Sequence, residues 1–189
     1  MSERAKTILD FWFIQSSQEE KFGNNKNFDK KIRDNFLDDY QKAIKNEYDY
    51  WHDNAVECLA LIILLDQFSR NLFRNNSKAF AMDYKARLVA KHAIEKGYCE
   101  KLTTDQLIFI FLPFMHIEEL IDQIYCGKLI DVYLKNHTSY KEAKKFSQLH
   151  YYIINKFGRF PYRNKVLGRK NTTKEIEYLK STHHDFFNI

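Results

Sequence analysis

Apolar residues recur at a helical period along most of the chain. Phe28, Ile32, Phe36, Tyr40 and Ile44 stand four apart and form one stripe, which predicts a helix from an N-cap at Asn27 to about Asn46. Ahead of it, residues 3–14 predict a short helix carrying Ile8, Leu9, Phe11, Trp12 and Phe13, and the polar stretch 15–26 predicts a loop. A third helix starts at Asn54, with Glu57 three positions on as in a capping box, and is apolar on every side from Cys58 to Leu65. A helix without a solvent face belongs at the centre of a fold.

Ser77 opens a fourth predicted helix that ends at Gly97. Thr103 with Gln106 opens a fifth, which Pro113 interrupts, and a sixth covers about 117–135 with Gly127 as its weak point. Ser139 with Glu142 opens a seventh ending at Gly158, and Thr172 with Glu175 a short last one. No segment alternates convincingly with period two. The expectation is an all-α fold in one domain over residues 1–189, a helical array or bundle of about seven or eight helices. A tetratricopeptide repeat is not visible in the residues themselves.

Composition supports this reading. Gly (5) and Pro (2) are too scarce for a sandwich with frequent turns, and 44% apolar residues is a globular content. The net charge of +5 comes from scattered lysines without a block of like charge, so it reads as a solvated surface. Cys58, Cys99 and Cys126 are odd in number and far apart, which excludes a disulfide framework and points to a reducing compartment. No signal-peptide pattern opens the sequence, and no apolar run approaches a membrane span. The expected location is the cytoplasm, with no membrane partner.

Polar chemistry concentrates in three segments otherwise built like core. In LLDQFSRNLFR (64–74), Asp66 and Arg70 are four apart, acid first, and Arg74 and Asn71 follow. These can form a structural ion-pair network, or they can offer guanidinium forks to a carboxylate or phosphate. In FLPFMHIEE (111–119), His116 stands beside Glu118 and Glu119, the material of acid–base chemistry, and a helix break at Pro113 can aim it at a cavity. In the third, His150 shares a face with Phe146, Ile153, Ile154 and Phe157, ahead of the loop FGRFPYRN (157–164). Arg159, Arg163, Asn164 and Arg169 in and after that loop can form an anion cradle.

Other chemistries find less support. Asp66, His116, Glu119 and His150 contain no HExxH or ExxH spacing, so no metal is expected. His116-Ile117-Glu118 resembles half a zinc-deaminase motif, but no PCxxC follows. GxSxG, Walker and GxGxxG patterns are absent, and no cofactor is expected. Phe160 and Tyr162 between arginines could stack on RNA, yet one loop does not make a nucleic-acid surface.

Together these segments resemble a bacterial family known as domain of unknown function 924. The resemblance rests on LALIILLDQFSRNLFR (59–74), AFAMDYKAR (79–87), FLPFMHIEE (111–119) and the closing FGRFPYRN block, and extends to Ile8–Phe13 and Trp51. It implies a tetratricopeptide-like α–α superhelix and no particular activity. The motif polar residues fall on Asp66, Gln67, Arg70, Asn71, Arg74, Asp83, His116, Glu118, His150, Arg159, Arg163, Asn164 and Arg169. Ser69 departs from the pattern, since proline is common there in the family.

Two functional readings follow. One is a binding module for an acidic small molecule or peptide carboxylate, with Arg70, Asn71, Arg74, Arg159, Arg163, Asn164 and Arg169 as its contacts. The other is an enzyme with His116 or His150 as acid–base, tuned by Glu118 or Asp66, on an anionic substrate. The rival to both is a purely structural polar network in a protein with an interaction role, and a homo-oligomer stays open. The readings diverge at Arg163→Ala, which under anion binding removes ligand stabilisation and leaves the apo melting temperature unchanged.

Overall fold

The computed structural model describes residues 2–181, which form helices and turns without a strand. α1 (Glu3–Asp10) runs on through a π-helical turn, Phe11–Gln15, and is followed by α2 (Gln18–Phe22) and α3 (Lys26–Ile44). α4 (Ala55–Ile62) continues through a second π turn, Ile63–Phe68, into α5 (Ser69–Leu72). α6 (Asp83–Glu95), α7 (Thr104–His116), α8 (Leu120–Tyr133), α9 (Tyr140–Phe157) and α10 (Thr173–Lys180) complete the order.

The fully apolar helix is the axis of the core. Every side chain from Cys58 to Leu65 is 0% exposed, as a helix without a polar face requires. α1, α6 and α7 pack around α4, while α3 lies against the second π turn and α5. From α6 to α9 each helix packs on the next. A smaller cluster of Ile153, Ile154, Phe160 and Tyr178 fastens the segment after α9.

Local chemistry explains where the elements depart from expectation. Residues 15–26 hold α2, because Ser17 and Glu20 make their own capping box. Asn25 caps α3 instead of Asn27, accepting from the N–H groups of Asn27 and Phe28. Ser77 begins only a 3-10 turn capped by Asn76, and α6 starts later, at Asp83. Ser139 turns its hydroxyl to His137 and provides no side-chain cap. Pro113 does not break α7, which continues to His116. Gln123 caps that end, its Nε2 donating to the carbonyls of Phe114, Met115 and Ile117 at 3.3, 2.9 and 2.7 Å. The expected boxes Thr103–Gln106 and Thr172–Glu175 both form.

Candidate functional site

The second π turn brings charge into the centre. A π turn takes one residue more than an α turn, and shifts the faces that follow it. It sits where the apolar helix meets Asp66 and Gln67, and Asp66 is 0% exposed. A carboxylate so placed needs partners. Its Oδ2 accepts from Gln67 Nε2 at 2.6 Å and its Oδ1 pairs with His116 Nδ1 at 2.7 Å. Burial alone would raise the Asp66 carboxyl, but His116 and Arg70 facing it outweigh burial and hold it at about 2.

The ionised carboxylate only accepts, so Nδ1 of His116 carries the hydrogen and donates it. Nε2 then holds a lone pair, and it has no hydrogen-bond partner among the described residues. Burial, and next Arg70, lower the imidazole below the ordinary histidine range against the pull of Asp66. His116 is therefore neutral at neutral pH. His150, whose ring centroid lies 6.4 Å from that of His116, donates Nδ1–H to the Phe146 carbonyl at 2.9 Å. Burial pushes it down to about 3.

Two buried arginines share one aspartate beside this pair. Arg70 Nη1 donates to Asp83 Oδ1 at 2.9 Å, and also to the carbonyls of Asp66 and Ala79. Arg163 Nη1 donates to Asp83 Oδ2 at 3.2 Å and to the His116 carbonyl at 3.0 Å. Both guanidiniums lie over the Phe80 ring, at 5.6 and 4.5 Å. Arg70 Nη2 stands 3.6 Å from Asp66 Oδ1, an ion pair too long for a hydrogen bond. Its Nε and Nη2 have no hydrogen-bond partner among the described residues. Asp66 and Asp83 thus balance Arg70 and Arg163, and the cluster is neutral.

One cavity of about 580 Å³ opens onto this cluster. Its buried end is lined by Gln67, Arg70, Asn71, Met115, His116 and His150, and its walls include Phe13, Phe109, Phe111, Leu112, Ile130 and Phe146. At the exposed end stand Lys21 and Phe22 of α2, Asp105 of α7 and Glu142 of α9. The Lys21 ammonium lies 5.8 Å over each of the Trp12 and Phe13 rings. Asn71 and Arg74 also border the cavity, but both are turned to Asp29 of α3: Asn71 Nδ2 at 2.8 Å, and Arg74 through Nε and Nη2 at 2.7 and 2.8 Å.

The arginine-rich loop does not reach the cavity. Arg159 grips Glu175 through Nε and Nη2 at 2.7 and 2.9 Å, and Arg169 holds Glu118 at 2.6 and 2.9 Å. Glu118 also accepts from the Phe160 N–H, so it anchors the loop and does not face His116. Asn164 Nδ2 donates to Asn171, and Arg163 supports the site from behind through Asp83. These charges serve the packing of the loop, and the anion cradle expected of them is not assembled. Sequence reasoning passed over Lys21 and Asp29; the Ser17–Glu20 spacing was the signal for the helix that carries Lys21, while Asp29 had none. Among the described residues no group of three or more His, Cys, Asp or Glu side chains is arranged to hold a metal ion.

The molecule is thus an all-α protein with a buried Asp–His pair and a neutral Arg–Asp cluster at the closed end of an aromatic cavity. The family model for a bacterial protein of unknown function, DUF924, matches residues 8–183, and the chain belongs to that family. A solved structure of a protein of unknown function from Agrobacterium tumefaciens is similar at 34% identity, covering 94% of this chain and 97% of its own, with a TM-score of 0.84. A search of the curated proteins found no match. Among the described residues no helix is long and apolar enough to cross a membrane.

Proposed function

We propose that the protein is a binding module that takes a small amphipathic acid into this cavity. The apolar body lies against the phenylalanine and aliphatic walls, and the acidic group sits at Arg70 and His116. The supporting observation is convergence: Arg70, a guanidinium that makes hydrogen bonds only through Nη1, and His116, with Nε2 lacking a partner, border the same 580 Å³ space. A space of that size suits a compact molecule better than a peptide segment.

An enzyme is the second reading, and the Asp66–His116 pair favours it. An aspartate on Nδ1 fixes the tautomer that leaves Nε2 basic, the arrangement of a general base. The buried end carries no hydroxyl or thiol side chain among its described lining residues, so such a base would act on water. The free, buried thiols of Cys58, Cys99 and Cys126 support a cytoplasmic setting, and helix-on-next-helix packing from α6 to α9 supports a tetratricopeptide-like superhelix.

A thermal-shift screen of carboxylic acids and phosphate monoesters tests the binding reading, with Ala143→Trp as control. Ala143 lines the cavity and is half-buried, so the larger side chain fills space without breaking a polar contact. An acid at a hundredfold excess over its Kd raises the wild-type melting temperature by about 5 °C or more and leaves the variant unmoved. No stabilising acid, or equal shifts in both proteins, overturns the reading.

A further inference from the structure

Resting on that reading of the cavity, we infer that its ligand is a monoanionic carboxylic acid bound together with one proton, and that Nε2 of His116 holds the proton.

The carboxylate class comes from the arginine. Arg4, Arg74 and Arg159 each grip a carboxylate of this chain, Asp39, Asp29 and Glu175 respectively, through the Nε and Nη2 edge. Arg70 uses only Nη1 for its hydrogen bonds, and its Nε and Nη2 edge has no hydrogen-bond partner among the described residues. That edge is the fork that meets two carboxylate oxygens side by side; its two atoms are closed off from solvent, so a carboxylate reaches them only as the Arg70 side chain turns toward the cavity that it borders. Arg163 has the same edge unbonded, but it does not border the cavity.

The proton comes from the charge balance. The groups facing His116 are Asp66 from the π turn, Arg70 from α5, Asp83 from α6, His150 from α9 and Arg163 from the loop after α9. Two guanidiniums and two carboxylates already cancel, so a bare anion would add an uncompensated charge to a buried cluster. His116 offers the lone pair that restores neutrality. When the acid enters, its O–H bond breaks and the proton moves to Nε2. The new Nε2–H donates to the carboxylate, Nδ1–H stays on Asp66, and no bond to carbon changes. A carboxylate arriving ionised takes the same proton from solvent. A phosphate monoester dianion requires two protons, and burial pushes the His150 imidazole down to about 3, so it does not hold the second.

Isothermal titration with 3-phenylpropanoate, at one pH in two buffers of different ionisation enthalpy, tests the inference. The wild type takes up close to one proton per acid bound, and its Kd rises about tenfold per pH unit between pH 6.5 and 8. Phenyl phosphate binds at least about tenfold more weakly. His116→Asn keeps an N–H for Asp66 and lacks Nε2, so proton uptake and pH dependence both vanish. Binding without proton uptake in the wild type, or undiminished uptake in the variant, overturns the inference while leaving an acid-binding cavity. If no carboxylate binds, the cavity reading fails and this inference with it. The wild-type measurement stands by itself should the variant not fold.

Discussion

His116 donates its Nδ1–H to Oδ1 of Asp66 at 2.7 Å, across fifty residues of sequence, and so ties the end of α7 to the π turn at the centre of the fold. One contact thereby does two things. It gives a wholly buried carboxylate a donor, and it fixes which imidazole nitrogen is left to meet a ligand.

Asp66→Asn keeps an oxygen for His116 but removes a charge that faces Arg70. A buried guanidinium that loses one of two counter-charges destabilises the protein by about 1–3 kcal/mol. Urea denaturation measures this at neutral pH, and a midpoint equal to the wild type would show that Asp66 carries no charge there.

Arg163→Ala separates the structural role of the arginine loop from the anion-binding role expected of it. Arg163 is 3% exposed, bonded to Asp83 and to the His116 carbonyl. Its loss lowers apo stability by about 3 kcal/mol. A double-mutant cycle with Asp83→Asn returns a coupling of about 1 kcal/mol or more. An apo melting temperature unchanged from the wild type would restore the loop as an anion site.

Acid weakens the fold through its buried histidines. His150 and His116 both have folded pKa values below the unfolded value of about 6.5. Below that pH the unfolded chain binds more protons than the native one, so stability falls as pH drops from about 6.5 toward 4, by about 1–2 kcal/mol per unit. Asp66, also depressed, adds a further loss of stability in the same direction as pH falls through about 4 to 2. Urea midpoints at pH 7.5, 6.5 and 5.5 measure the slope, and flat values would mean that these imidazoles are charged or exposed.

Gly127→Ala runs the other way. Gly127 lies inside α8, where an added Cβ meets Ser147 Oγ of α9 at 3.5 Å, an ordinary contact. Replacing a mid-helix glycine raises stability by about 0.5–1 kcal/mol. A drop in melting temperature would indicate that α8 and α9 approach more closely than this distance.

The helices were legible in the sequence wherever a local rule decides them. Thr103–Gln106 and Thr172–Glu175 are self-contained caps, and the apolar run 58–65 fits nowhere but a core. Pro113 misled, because its tolerance depends on Gln123 from the following helix capping the carbonyls that α7 leaves open. The π turn leaves no mark in hydrophobic period, since the residues that lead into it, Cys58 to Leu65, are apolar all round. Within the site, Asp66, Arg70, His116 and His150 stood out as polar groups on apolar faces. The arginines of the loop stood out equally, and nothing local distinguishes Arg70, whose Nε edge is unbonded, from Arg159, whose edge is closed by Glu175. That difference is made by partners far away in sequence.

The most direct measurement is the crystal structure of the protein with the most strongly stabilising carboxylic acid. The expected result is the acid in the cavity, its carboxylate within about 3 Å of Nε2 of His116 and of an Arg70 guanidinium turned toward it. A carboxylate bound against Arg159 and Arg169, or a cavity left empty while the acid binds elsewhere, contradicts it.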